Sequence, residues 1–382
     1  MLIEEKNETW LNFFTPAVAV AVGGTLLGFL NLVTQFVLPF AQLILPFELD
    51  IVTASLLILF LGQIIGAVIV FFVLIPFFRV KKVEYQTVTG FNVFRTILLA
   101  CLTYAVGYLS SIIFVTIFLV LGLVPQSGYG GLFLTAEHLA NPLIIVLYFA
   151  PLTVGAAVFE ELIYRRMLIP LLEERGMAPF TAVVASSLIF AFGRLPNDLM
   201  NGNLAGAVIQ IWNISIIGLV LGLTYILTRN ILFSMFIHGV LNFVSVAGPL
   251  VLVMENNSLS AVYRLTISLI LLVGIAVAIF AIWQYFRVSD WVNSINSINE
   301  KPAINILPGL VGFLIIAAVL KLLPLIMEIF VSALAYIFSS LSILFIILLG
   351  VGYSILLVTL LWLVSKTKYT PITEKTVNSV KA

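Results

Sequence analysis

The feature that most constrains this chain is recurrence: runs of twenty or more apolar residues return from one end of the sequence to the other. A helix rises about 1.5 Å per residue, so each run is long enough to cross a hydrocarbon core of about 30 Å. Hydrophobic residues make up 62% of the 382 residues and charged ones only 9%, too few charges to clothe a soluble surface around that much apolar side chain. Inside a bilayer every backbone N–H and C=O needs a partner within the protein, and runs of this length supply their own as helices. The sequence therefore predicts an all-α, polytopic transmembrane helix bundle.

The runs place ten spans at roughly 11–38, 51–78, 93–124, 143–172, 178–198, 204–228, 231–253, 258–287, 304–326 and 333–364. Basic residues follow the even-numbered ones: Arg79, Lys81 and Lys82; Arg165, Arg166 and Arg175; Arg229; Arg287; Lys366 and Lys368. The alternate loops carry almost no Lys or Arg, with Arg264 the exception. Positively charged loops stay inside, so both termini are expected in the cytoplasm, and the plasma membrane is the expected location. Residues 288–303 are polar and rich in Asn and Ser. They read as a cytoplasmic linker between an eight-span body, 1–287, and a C-terminal helix pair with its tail, 304–382. The N-terminus lacks the basic stretch of a signal peptide, so the first apolar run reads as a retained span.

Composition also narrows the function. A net charge of +1 without a basic stripe or nucleic-acid motif argues against nucleic-acid binding. One cysteine, Cys101, excludes an intrachain disulfide and a Cys-based zinc site. No internal or inverted repeat is visible, which disfavours a transporter.

Several ionisable residues stand where the bilayer makes them costly, on the order of 2–3 kcal/mol for a carboxylate near the centre. Glu160 and Glu161 lie in the fourth span, followed by Arg165. Glu161 and Arg165 are four apart, with the acid on the N-terminal side, a spacing that makes an ion pair on one helix face. Glu160 is turned about 100° away and is left to act as a general base; the alternative is that both acids are interfacial. His238 and Asn242 in the seventh span are again four apart. An imidazole can orient water or donate a hydrogen bond and an amide can stabilise an oxyanion; equally, the two can be hydrogen-bonding glue between helices. Phe190 and Arg194 share the same spacing in the fifth span, and Arg194 either faces the site or snorkels to the interface. Asp198 follows beyond Pro196. His138 reads as a residue of an outer loop, Lys321 as a snorkelling side chain, and Gln210 and Asn213 as interhelical hydrogen-bonders.

In order on three spans stand EExxxR at Glu160, Glu161 and Arg165, an element like FxxxH beginning at Phe190, and HxxxN at His238 and Asn242. Together they resemble the CPBP family, which holds the Rce1-like CAAX prenyl endopeptidases and the bacteriocin-processing and self-immunity proteins. The likeness covers roughly residues 93–253. It implies an intramembrane endopeptidase with a cavity open to the cytoplasm. In it Glu160 would activate a water, Glu161 and Arg165 would support that base, and His238 and Asn242 would form the oxyanion hole. It implies no cofactor and a membrane-associated or lipidated peptide substrate. A tight zinc site is disfavoured, because one histidine remains among the candidates and catalytic zinc takes three protein ligands.

The second motif ends in Arg194 where the family has histidine, and arginine does not accept a proton near neutral pH. Arg194 would polarise the scissile carbonyl, hold Glu160 as a carboxylate, or lock it in an ion pair that silences the enzyme. The sequence therefore leaves a peptidase, a catalytically impaired pseudoenzyme or membrane scaffold of the same fold, and, third, a transporter using the buried charges as an ion path.

Overall fold

The computed structural model describes residues 14–26, 29–30, 51–80, 90–122, 141–193, 204–253 and 257–287, with isolated helical positions between 314 and 362. His138, Arg194, Asp198, the expected linker at 288–303 and Lys321 lie outside the described residues. Among the described residues there is helix and no strand.

In chain order the helices are α1 (Phe14–Leu26), α2 (Ile51–Ile69, continuing to Phe77), α3 (Gly90–Val120), α4 (Pro142–Glu174), α5 (Pro179–Phe192), α6 (Leu204–Thr228), α7 (Ile231–Val253) and α8 (Asn257–Arg287). They fall on the first eight expected apolar runs. Five of them, α2, α3, α4, α6 and α8, are long and apolar enough to cross a membrane; α1, α5 and α7 carry shorter apolar segments. This is a polytopic helical bundle.

Residue type explains where the helices stop. Val80 N–H bonds to Ile75 C=O and Arg79 N–H to Pro76 C=O, with Arg79 in the left-handed region, the hydrogen-bond pattern of a Schellman end on α2. Gly176 repeats it on α4, with Met177 N–H bonded to Leu172 C=O. Between α6 and α7 the turn is only two residues long. Arg229 takes a positive φ, and Asn230 caps α7 by accepting from Leu232 N–H at 3.0 Å.

Three π-helical turns interrupt the longer helices: Val70–Leu74 in α2, and Ala150–Gly155 and Leu162–Leu168 in α4. Each contains or precedes a proline: Pro76, Pro151 and Pro170. Proline has no N–H to donate and crowds the carbonyl four residues back. A wider turn lets the helix continue without leaving bare polar backbone in lipid. Glu160 and Glu161 end the short regular stretch, Ala156–Glu161, between the two π turns of α4.

Helices in lipid gain little from hiding apolar surface from one another, so close approach of small residues holds them together. A Cβ on Gly66 of α2 would lie 2.6 Å from the Phe159 ring of α4. Gly218 and Gly222, a GxxxG pair on α6, sit against Ser187 and Val183 of α5 at 2.9 and 2.6 Å in the same sense. Polar side chains add cross-links. Asn213 on α6 donates to Ser111 on α3 at 2.6 Å, and Ser234 on α7 donates to Leu221 C=O on α6 at 3.0 Å. The interhelical role expected for Asn213 is therefore observed. The core lies where α1, α4 and α5 meet: Ala17 to Val22 of α1 are buried all round, together with Ile163, Met167, Leu168 and Ile189. In contrast, α8 leaves Leu265, Leu272, Ile279 and Phe280 exposed, the surface expected of a helix solvated by acyl chains.

Candidate active site

The site is built from α4, α5 and α7. In α4, Glu161 and Arg165 form the i,i+4 pair that their spacing requires: Arg165 Nη1 to Glu161 Oε1 is 2.9 Å, and both side chains are completely buried. The same Oε1 takes a second partner across the bundle, His238 Nδ1 of α7 at 2.8 Å. One carboxylate oxygen thus holds a guanidinium from its own helix and an imidazole from another. Opposite a carboxylate already paired with arginine, Nδ1 is the ring nitrogen that donates, so the Nε2 edge turns the other way. It faces Glu160. His238 Nε2 lies 3.6 Å from Glu160 Oε2, and the Glu160 side chain keeps 14% of its surface exposed where Glu161 keeps none. At 3.6 Å this is proximity rather than a hydrogen bond.

Aromatic rings form the wall on the α5 side. The Phe190 ring lies under Arg165 with Cζ 4.7 Å from its centroid. His238 packs T-shaped on it, with centroids 5.7 Å apart and an interplanar angle of 80°, and Tyr164 does the same at 5.0 Å. Arg165 Nη2 reaches Gly218 C=O of α6 at 3.4 Å. Within the π turn, Tyr164 C=O accepts from Ser186 Oγ at 2.8 Å. A hydroxyl on α5 therefore satisfies a carbonyl where the α4 helix is widened, and it pins α5 to α4 beside the acids.

Of the residues singled out in the sequence, Glu160, Glu161, Arg165, Phe190 and His238 come together. Asn242 is partly buried one turn beyond His238 on α7. Arg194 is outside the described residues. No group of three or more His, Cys, Asp or Glu that could hold a metal ion occurs among the described residues. What the sequence reading missed is the aromatic plate under Arg165, the second partner of Glu161 and the Ser186 bond. Pro151 and Pro170 inside an apolar run were the available signal for the widened turns.

Fold and site together define a polytopic helical membrane protein with a Glu–Arg–His cluster buried among three helices. Residues 141–244, which carry all of these groups, match the family model described as Type II CAAX prenyl endopeptidase Rce1-like. The resemblance drawn from the three motifs is thereby borne out over this segment. No curated protein and no solved structure matches the chain.

Proposed function

We propose that this protein is an intramembrane endopeptidase of the CAAX-protease type that hydrolyses a peptide bond with a water activated by Glu160. The observation that carries the reading is the division of labour between adjacent acids. Glu161 is wholly buried and holds both Arg165 and His238 on one oxygen, while the Glu160 side chain is partly exposed and faces the far side of the same imidazole.

Glu160 takes a proton from water as its oxygen attacks the carbonyl carbon, and the carbonyl electrons move onto oxygen. That oxyanion is stabilised by the Asn242 amide and, one helical turn back on α7, by His238 in its doubly protonated form, in which Nε2–H donates while Nδ1–H stays on Glu161. The proton held on Glu160 then passes to the leaving amine as the C–N bond breaks. Glu161 and Arg165 position His238 and do not touch substrate. Arg194, four residues beyond Phe190, contributes a fixed positive charge and no proton transfer. The substrate is a lipidated or membrane-anchored peptide at the plasma membrane.

The test is cleavage of a farnesylated CAAX peptide and of an unprenylated membrane-anchored peptide by the purified chain in liposomes. Glu160→Gln is expected to slow cleavage by about 10²- to 10⁴-fold, the usual contribution of a general base. Equal cleavage by wild type and Glu160→Gln ends the proposal. One departure favours a second reading, a silenced enzyme acting as a scaffold: arginine stands where the family motif has histidine. Arg194→His separates the two, since a silenced enzyme gains cleavage and an active one loses it.

A further inference from the structure

Arg165 is completely buried, yet its polar contacts are few. Nη1 is paired with Glu161, Nη2 makes a long contact to Gly218 C=O, and Nε has no hydrogen-bond partner among the described residues. The remaining face of the guanidinium rests on Phe190. An aromatic ring carries negative charge density on its faces and positive at its edge, so it attracts a cation placed over it. The cation lies 4.7 Å over the face, as that charge pattern favours, and the imidazole, set between the Glu160 and Glu161 carboxylates, meets the ring at 5.7 Å nearly perpendicular.

We propose that Phe190 is a positioning residue of the Glu160 site: its face holds the Arg165 cation on Glu161 and its perpendicular contact fixes the plane of His238 between the two glutamates. The ring is 4% exposed and stands beside both groups, so it occupies the volume through which Arg165 would otherwise turn away from Glu161. With the ring in place, the guanidinium stays on Glu161. Without it, the cation gains freedom to compete for Glu160 and His238 loses one wall of its slot. The catalytic part of this inference rests on the Glu160 reading above; the structural part does not.

The experiment uses the full chain in nanodiscs with His138→Gln, which leaves His238 as the single histidine of the two in the sequence. Phe190 is replaced with mono-, di- and trifluorophenylalanine, which nearly keep the ring's volume while draining its negative face. Three quantities are read: the thermal midpoint, the imidazole nitrogen resonances of His238, and kcat and KM for cleavage. The expected result is a graded fall in midpoint with each fluorine and weakening of the hydrogen-bonded Nδ1–H signal. Cleavage should show kcat lowered about tenfold or more by the trifluoro ring with KM within twofold. Phe190→Tyr, which keeps an electron-rich face, should hold the Nδ1–H signal near wild type, and Phe190→Leu should lose it. A midpoint and a His238 spectrum that stay flat across the fluorine series overturn the proposal. If the unmodified chain does not cleave while midpoint and spectrum still move with fluorination, the hydrolase reading fails and the positioning role of Phe190 stands.

Discussion

Two adjacent glutamates with different fates dominate the chemistry at the residue scale. Glu161 has a guanidinium at 2.9 Å and an imidazole at 2.8 Å on one oxygen and no exposure. Removing its charge leaves Arg165 buried without a counter-ion, and breaking a buried pair costs about 3–5 kcal/mol. Glu161→Gln is therefore expected to lower the thermal midpoint sharply, as followed by fluorescence in detergent, and to release His238. Glu160→Gln is isosteric and partly exposed, so it should change stability by about 0.5 kcal/mol or less while slowing cleavage by about 10²- to 10⁴-fold. An equal loss of stability in the two variants would contradict this division of roles. Half of the arrangement was legible in the sequence. Glu161 and Arg165 are four residues apart on one helix, and that spacing alone dictates their contact. The tie from Glu161 to His238 joins residues 77 apart on different helices, and no local spacing encodes it.

At the scale of elements, two devices set the site: widened turns in α4 and close glycine contacts between α5 and α6. The helices themselves were readable because lipid forces apolar runs to become helices, and the observed α6 (Leu204–Thr228) and α7 (Ile231–Val253) keep the expected limits. The expected run 93–124 begins earlier in the structure, at Gly90, and ends at Val120, because Gly122 takes φ of +72° and turns the chain. The π turns were not readable as such, since proline marks a disturbed turn without saying whether the helix kinks, breaks or widens. The glycine contacts make a specific prediction. A Cβ at Gly218 would lie 2.9 Å from Ser187 Cβ and 3.0 Å from its Cα, and backbone cannot swing aside as a side-chain tip can. Gly218→Ala is expected to push α5 from α6 at a cost of about 1–3 kcal/mol. Because Gly218 C=O faces Arg165 and α5 carries Phe190, cleavage should fall with it. Gly107→Ala on α3, where an added Cβ meets nothing within 4 Å, is the control and should be neutral in both the midpoint and the activity assay.

For the molecule as a whole, the question is which face of the membrane opens on the site. Arg229, after α6, reaches Glu173 near the end of α4 at 3.1 and 3.4 Å, and Arg175 reaches Thr15 at the start of α1 at 3.4 Å. The ends of α4 and α6 and the beginning of α1 therefore share one face, and they bring that face arginines. The Glu173–Arg229 pair itself contributes little stability. Its side chains are 21% and 35% exposed, so Arg229→Gln should cost about 0.2–1 kcal/mol and less at high salt. On the rule that basic ends are retained in the cytoplasm, these arginines predict that this face is the cytoplasmic one. From that face Glu161 lies thirteen residues back along α4, about 20 Å by helix rise, and His238 lies seven residues into α7, about 10 Å. The single cysteine makes the orientation testable. In a Cys101→Ala background, Glu174→Cys, Lys82→Cys and Lys368→Cys are expected to resist a membrane-impermeant maleimide on intact cells and to react once the membrane is opened. Gln126→Cys and Asn256→Cys should react from outside without permeabilisation. Labelling of Glu174→Cys on intact cells would invert the bundle, place the Glu160 edge nearer the external face, and require the peptide substrate to come from that side.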